Sequence, residues 1–314
     1  MRIAIIGAGG VGGYFGGRMA RAGDDVAFIA RGEHLRAMRE EGLRVRSVAG
    51  DFTVHPVRAT DDPAEVGPVD AVLVATKTWQ VEEACRTAAP LLGPETVVVT
   101  LQNGVEAPAQ AARIVGRERV LPGVARIFSR VAEPGLVVHA GGPASVTFGE
   151  LDGPPTPRVL RLRDALAAAG VAVETPDDVQ ADLWAKFLFV VPMGGVGALA
   201  RAPVGVLRGM PETRRLLEEA MGEILAVARA RGIRLPDDVV ARTMGFVDGQ
   251  PAEGTTSLQR DVAAGRPSEL EAWCGAVVRL GAESGVPTPL HRVMYHALLP
   301  LERRARGDVE FADG

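Results

Sequence analysis

The feature that most constrains this chain is a glycine-rich segment between an apolar strand and a helix at the N-terminus. Gly7-Ala8-Gly9-Gly10-Val11-Gly12 follows the apolar run Arg2–Ile6 and opens a helical pattern over residues 10–22. In such a frame the first glycine permits a tight turn, the second lets backbone approach a pyrophosphate, and the third allows close helix packing. Free N–H groups at the helix N-terminus then favour phosphate. The segment predicts a dinucleotide-binding loop, the alternative being an ordinary glycine-rich loop of an α/β protein.

Strand-like and helix-like segments alternate through the first half of the chain, which is typical of a mostly parallel sheet wound with helices. The β-rich segments 43–48 and 52–57 predict an inserted hairpin around Gly50, and the glycine-rich segment 135–149 predicts short strands. The fold class expected is α/β, a Rossmann-type doubly wound sheet followed by an all-helical domain. Strands are expected at residues 2–6, 25–30, 71–75, 96–101, 119–124 and 171–175, with helices between them, including 80–89 and 158–169.

The character of the sequence changes after Pro176, where the pattern becomes helical. We therefore expect a dinucleotide-binding domain at residues 1–175 and an all-helical domain at residues 176–314. Breaks between the helices are expected where proline and glycine cluster, at residues 192–195, 209–211, 232–236, 249–254, 265–267 and 285–289.

Composition excludes several classes of protein. Of the 314 residues 47% are hydrophobic and 24% charged, with a net charge of −4, which is typical of a globular protein and gives no reason to expect nucleic acid. The longest apolar stretch, residues 187–200, is short for a membrane span and contains Pro192, so no membrane is expected. Neither the histidines nor Cys85 and Cys274 have metal-ligand spacing, and two cysteines in so long a chain favour a reducing compartment, the cytoplasm.

The end of the second predicted strand indicates which dinucleotide is bound. A fold of this kind that prefers NAD carries an acidic residue there to bind the ribose 2′-hydroxyl, whereas this chain has Arg31. Because a guanidinium suits a 2′-phosphate, we expect NADPH, the alternative being a solvated arginine. Lys77 and Asn103 follow two further strands at the edge where ligands bind, although a surface lysine and an Asn-Gly turn are the simpler interpretations.

Lysine is rare in this chain: of its 35 basic side chains only Lys77 and Lys186 are lysines. Lys186 follows Trp184 in an otherwise apolar helical segment, where a charged side chain is unusual unless it has a specific structural or functional role. Its alkyl stem would cover core surface if the residue were structural. A lysine ammonium can also lose its proton, which a guanidinium does not, so the functional hypothesis is that of a proton donor.

With these segments the sequence resembles the ketopantoate reductases (2-dehydropantoate 2-reductases) over nearly its whole length. The resemblance implies that the helical domain is a substrate domain and that NADPH is the hydride donor. The small-molecule substrate it implies is a branched or larger 2-keto acid, with ketopantoate the leading candidate, and it also implies a place in pantothenate biosynthesis. It is carried by the glycine loop, Arg31, and residues 76–80, 102–104, 182–186, 257–261 and 265–269.

The resemblance also implies roles for individual residues. Lys186 would be the general acid, and Glu269 a partner for substrate or cofactor hydroxyls on a helix expected over residues 268–284. Ser257 would contact the substrate, Asn103 would lie where cofactor and substrate meet, and Ser129 would contact the cofactor. Without the resemblance, Glu269 is an ordinary acid in the first turn of a helix.

Two positions depart from the family pattern. Four and eight residues after its lysine the family usually has asparagines, where this chain has Val190 and Gly194, and Pro192 is expected to break the helix between them. The substrate is therefore open, and a more apolar 2-keto or β-keto acid is one alternative.

A non-catalytic NADPH-binding sensor is another alternative, against which the retained Lys186 and Glu269 argue. A homodimer is possible through the long helices expected at residues 214–231 and 269–284.

Overall fold

A computed structural model describes residues 1–311. Apart from four single-turn 3-10 helices, its helical elements in chain order are α1 (Gly10–Arg21), α2 (Gly32–Glu41), α3 (Val81–Thr87), α4 (Ala107–Val115), α5 (Pro157–Ala168), α6 (Val179–Ala200), α7 (Val204–Gly209), α8 (Pro211–Ala230), α9 (Val239–Asp248), α10 (Ser257–Ala263), a π-helical segment (Glu271–Gly275), α11 (Ala276–Glu283) and α12 (Pro289–Arg306). The strands are β1 (Arg2–Ile6), β2 (Asp25–Ile29), β3 (Leu43–Ser47), β4 (Phe52–Val54), β5 (Arg58–Thr60), β6 (Val69–Val74), β7 (Leu92–Thr100), β8 (Val120–Glu133), β9 (Leu136–Phe148) and β10 (Ala172–Glu174).

The strands form one mostly parallel sheet in the order β4-β3-β9-β8-β7-β6-β1-β2-β5, with β10 paired to β9. Only the β3–β4 and β8–β9 pairs are antiparallel among the described strands. β1 lies between β6 and β2, where the strand order reverses, and the carboxyl ends of strands at such a point form the usual ligand-binding crevice. The predicted fold class is confirmed.

Both faces of the sheet are buried, and alternate residues of β1 belong to the hydrophobic clusters on the two faces. Ile3 and Ile5 belong to the core cluster that includes Phe15 of α1, whereas Ala4 and Ile6 belong to the cluster on the other face. Because successive strand residues point to opposite faces, a continuous apolar run is expected for a strand buried on both sides.

The predicted hairpin of β3 and β4 is confirmed, but β8 and β9, further along the chain, are longer than predicted. β8 spans 14 residues and β9 spans 13, and they pair antiparallel with several irregularities of register. Gly142, at a φ of +83°, lies within β9. A glycine in a strand pattern usually indicates the end of the strand, but a β-bulge can accommodate it within a continuous strand. The glycine-rich composition therefore predicted shorter strands than the structure contains.

By its internal contacts the chain divides into two compact units. The first contains residues 1–102 and 106–182, and the second contains residues 103–105 together with the chain from residue 183 onward. The division therefore falls within α6, after Asp182, and the short segment 103–105 belongs with the helices. The second unit has its own core, which includes Leu188, Ile224 and Trp273.

The predicted break at residues 192–195 is wrong, because α6 continues from Val179 to Ala200 with Pro192 inside it. A proline removes one helical hydrogen bond, and the burial of the surrounding helix outweighs that loss. Within the described residues α6 alone is long and apolar enough to cross a membrane, with a mean hydropathy of 1.6, and 67% of that stretch is buried inside the fold.

The segment around Glu269 also differs from the prediction. Helical structure begins only at Glu271, as a π-helical turn, and continues as α11. Glu269 therefore precedes the helix and is not a first-turn acid. Its carbonyl accepts the N–H of Trp273 at 3.0 Å, which leads the chain into the π-helical turn.

Candidate functional site

The glycine loop between β1 and α1 has the geometry that a bound diphosphate requires. Gly7 has a φ of +95°, and a Cβ placed there would lie 2.8 Å from the backbone of Ala75 and Thr76. A Cβ at Gly9 would meet no atom within 4 Å, so this glycine borders open space. The first glycine thus serves the tight turn and the second leaves the backbone open to a ligand.

Two buried hydroxyl groups flank this loop. The Oγ atom of Ser129 and the Oγ1 atom of Thr76 have no hydrogen-bond partner among the described residues. Ser129 is next to the loop, because a Cβ at Gly10 would lie 2.8 Å from its carbonyl group, and the backbone N of Thr76 lies equally close to that of Gly7. Since buried polar groups are normally satisfied, the two hydroxyls fit a polar group bound at the loop. The predicted cofactor residue Ser129 therefore lies beside the glycine loop.

A histidine that the sequence did not single out holds the loop. His34 lies on α2, and its Nε2 atom is 2.8 Å from the carbonyl oxygen of Ala8. The N–H of Gly135 donates to its Nδ1 atom at 3.1 Å, so Nε2 carries the proton and donates to Ala8. Burial lowers the pKa of His34, which favours this neutral form.

Arg31, the predicted 2′-phosphate ligand, precedes α2 directly and is paired with an acid. Its Nη1 atom donates to the Oε1 atom of Glu83, on α3, at 3.0 Å. The two side chains are 66% and 58% exposed. Glu83 gave no signal in the sequence, because nothing in the local pattern links it to a residue 52 positions earlier.

Lys77 lies just beyond β6, with its ammonium 5.9 Å from the centre of the Trp79 ring. This strand end is held by Gln102, whose Nε2 atom donates to the carbonyl oxygens of Val74 at 3.0 Å and Thr76 at 3.2 Å. Gln102 therefore positions the segment that carries Lys77, a role that sequence reasoning missed.

In the helical unit the structure brings together two of the predicted residues. The Nζ atom of Lys186 donates to the Oδ1 atom of Asn103 at 2.6 Å, although 83 positions separate them. Gly104, at a φ of +120°, forms the turn that follows Asn103, and a side chain there would approach the carbonyl oxygen of Ala272. The Asn-Gly turn therefore aims an amide oxygen at the lysine ammonium.

Glu269 is 5% exposed. The residue before it, Ser268, is hydrogen-bonded to side chains of α12. The N–H and hydroxyl of Ser268 donate to Glu302 at 3.0 and 2.5 Å. Arg306 donates to the same carboxylate at 2.7 Å and to the carbonyl oxygen of Ser268 at 3.1 Å. All three polar groups of Ser268 are thus fixed, which restricts where Glu269 is placed.

Ser257 is the first residue of α10, and Thr256 caps this helix by accepting the N–H of Gln259 at 3.2 Å. Ser257 itself is half-buried. The structure therefore places this predicted substrate contact at a capped, ordered helix start.

Val190 and Gly194 lie one and two turns after Lys186 on the continuous helix α6, so the three share a face. A Cβ at Gly194 would lie 2.7 Å from the ring of Trp273 and 3.5 Å from the Cβ of Leu258. The segments that carry Ser257 and Glu269 therefore pack against α6 at this level. The glycine is explained by the indole ring that occupies the space, because its φ is not positive.

Both cysteines are free and buried, and burial raises the pKa of Cys85 to about 11 and that of Cys274 to about 12. Over residues 1–311 no group of three metal-ligating side chains is close enough to hold a metal ion.

A doubly wound sheet with an open glycine loop, together with a helical unit carrying a lysine held by an amide, defines a Rossmann-type oxidoreductase. Residues 3–153 match the family model described as ketopantoate reductase PanE/ApbA, and residues 178–302 match the one for its C-terminal region. The chain belongs to the ketopantoate reductase family, whose members are oxidoreductases acting on a CH–OH or carbonyl group. The family and the glycine loop support a nicotinamide cofactor.

Several known proteins are similar over their whole length. A 2-dehydropantoate 2-reductase of Mesorhizobium japonicum is 33% identical, with 97% of each chain covered. A solved PanE/ApbA family ketopantoate reductase of Ralstonia eutropha JMP134 is 34% identical with a TM-score of 0.90, covering 98% of this chain and 100% of that one. A D-mandelate dehydrogenase solved with NADH and anilino(oxo)acetate has a TM-score of 0.88 over 98% of this chain and 99% of that one, and at 23% identity it shows a shared fold.

Proposed function

We propose that this protein reduces 2-dehydropantoate (ketopantoate) to pantoate with NADPH as the hydride donor, in the cytoplasm. The observation that carries the proposal is the hydrogen bond from Lys186 to Asn103, which holds an ammonium group in a family whose members reduce a keto acid. Curated relatives named 2-dehydropantoate 2-reductase support the substrate, including one of Mesorhizobium japonicum.

The residues that would hold the cofactor lie around the glycine loop. Backbone N–H groups of residues 9–12 would bind the diphosphate, with the hydroxyls of Ser129 and Thr76 as further partners. Arg31 would supply positive charge for a 2′-phosphate, and Lys77, just beyond β6, would contact the cofactor. When bound, the reduced nicotinamide supplies a hydride.

Lys186 would supply the proton for the reduction. As a hydride adds to C2 of the keto acid, the C=O π bond breaks and its electron pair moves to oxygen, which takes a proton from the Nζ atom of Lys186. The neutral amine then regains a proton from water. Asn103 accepts one N–H of the ammonium, which fixes the direction of the others. Glu269 and Ser257 would bind hydroxyl or carboxylate groups of the reactants.

A more apolar 2-keto acid is the second candidate, because the face of α6 beyond Lys186 is apolar. Val190 is half-buried among hydrophobic residues, and the ring of Trp273 fills the space beside Gly194. A substrate hydroxyl beside these residues would lose its hydrogen bonds to water, at about 1–3 kcal/mol for each unmatched partner.

The loss of NADPH absorbance measured across a panel of 2-keto acids tests the proposal and separates its two candidates. We expect turnover with ketopantoate, and the matched analogue is a branched 2-keto acid that lacks the hydroxyl. Turnover of the analogue alone would favour the second candidate. No oxidation of NADPH with any 2-keto acid would contradict both and favour the binding-sensor alternative.

A further inference from the structure

We propose that Glu83 is a specificity-determining residue that weakens the discrimination of this protein between NADPH and NADH, by competing with the 2′-phosphate for Arg31. The inference rests on the proposed function, in that it places the 2′ position of the cofactor at Arg31. It concerns the ion pair in which Nη1 of Arg31 lies 3.0 Å from Oε1 of Glu83.

The placement of the pair carries the inference. Arg31 follows β2 by two residues, where the acid that recognises a ribose 2′-hydroxyl is found in folds that use NAD. Glu83 reaches the same point from the first turn of α3, which follows β6, so a carboxylate is present there although it comes from another element. Arginine and acid together make a site of mixed charge.

The two cofactors respond to such a site in opposite ways. A 2′-phosphate bound to the other N–H groups of Arg31 would lie within a few ångströms of the Glu83 carboxylate, and like charges at that distance repel each other. A ribose 2′-hydroxyl is neutral and can donate a hydrogen bond to the carboxylate. Glu83 therefore penalises NADPH and is neutral or favourable toward NADH.

Stability does not account for the pair, because both side chains are largely exposed and such ion pairs contribute little to folding. The neighbouring Glu82 provides a matched comparison on the same helix. It carries the same charge and pairs with Arg86 at 3.0 Å and Arg113 at 3.1 Å, away from Arg31.

The test compares dissociation constants of NADPH and NADH for the wild type, Glu83→Gln and Glu82→Gln, measured by the fluorescence of the reduced nicotinamide on the full chain without substrate. We expect Glu83→Gln to tighten NADPH by roughly fivefold to tenfold and to leave NADH unchanged or slightly weaker. Glu82→Gln should change both constants by less than about twofold. The gain should shrink at high salt, which screens exposed charges.

A double-mutant cycle with Arg31→Ala completes the test. The gain from Glu83→Gln should vanish in the Arg31→Ala background, because the carboxylate acts through its competition for that guanidinium. Equal changes in Glu83→Gln and Glu82→Gln, or no change in Glu83→Gln, would overturn the inference.

Arg31→Ala alone separates this inference from the proposed function. We expect it to weaken NADPH by about tenfold or more and to leave NADH nearly unchanged. If it does so while Glu83→Gln is silent, the inference fails and the choice of NADPH stands. If it weakens both cofactors equally, the 2′-phosphate binds elsewhere, and both the cofactor part of the proposed function and the inference are wrong.

Discussion

Lys186 shows how a single residue acquires a chemical role from its partner. Its helix is apolar, and an ammonium in such surroundings needs a specific acceptor. Asn103 provides a neutral one, at 2.6 Å. The hydrogen bond to this amide orients the ammonium, and a fixed orientation suits a group that must deliver a proton in each turnover.

We expect Lys186→Ala to lower kcat by about 10² to 10⁴ and to leave NADPH affinity largely intact, because the proton donor acts in the transition state. Steady-state kinetics and cofactor titration measure the two effects. Lys186→Arg should not restore activity, since a guanidinium parts with its proton far less readily. Normal turnover in Lys186→Ala would exclude the general-acid role.

Val190 and Gly194 should respond differently to asparagine. Val190→Asn should raise kcat/KM for ketopantoate, relative to an analogue without the hydroxyl, by roughly tenfold, because it offers a hydrogen bond to that hydroxyl. A wild type that already strongly prefers ketopantoate would show that other groups supply this hydrogen bond.

Gly194→Asn should instead destabilise the protein by about 1–3 kcal/mol, because its Cβ would press on the ring of Trp273. Chemical denaturation measures the loss, with Val190→Asn as the control on the same face of α6. Wild-type stability in Gly194→Asn would mean that the indole moves aside easily.

At the scale of elements, the glycine loop depends on the segments packed around it. His34 links α2, the carbonyl of Ala8 and the N–H of Gly135 in the turn between β8 and β9. The π-helical turn depends in the same way on α12, through the contact of Glu302 with Ser268. In both cases the contact comes from a helix that contains none of the predicted site residues.

We expect His34→Ala to weaken NADPH and NADH equally, by roughly threefold to tenfold, because it releases the loop that binds the diphosphate shared by both. Fluorescence titration of each cofactor checks this. The equal loss distinguishes a positioning role from that of Arg31, and a loss confined to NADPH would contradict it.

At the scale of the whole molecule, two histidines couple folding to pH. Burial lowers the pKa of both His34 and His291, so the unfolded chain binds protons more readily than the folded one. Their contribution to the free energy of unfolding is therefore fully present above the unfolded pKa of about 6.5 and is lost as the pH falls below it.

We expect the free energy of unfolding to decrease between pH 7 and pH 5.5, at no more than about 1.4 kcal/mol per pH unit for each histidine. Urea titrations across this range measure the slope. In His34→Gln the free energy of unfolding should decrease less per pH unit than in the wild type, whatever the stability of the variant at pH 7. An unchanged slope would show that His34 keeps its ordinary pKa.

The sequence by itself determined the features that depend on local spacing. The turn and helix start at Gly7–Gly12, the alternation that builds a parallel sheet and the isolation of Lys186 in an apolar helix can all be read within a few residues. Tertiary structure alone decided the partners: Asn103 for Lys186, Glu83 for Arg31 and Trp273 beside Gly194. Tertiary structure also keeps α6 continuous at Pro192, because the packing of the buried helix outweighs the local preference of proline to end a helix. Such contacts join segments far apart in the chain, and no local pattern of residues encodes which of them will meet.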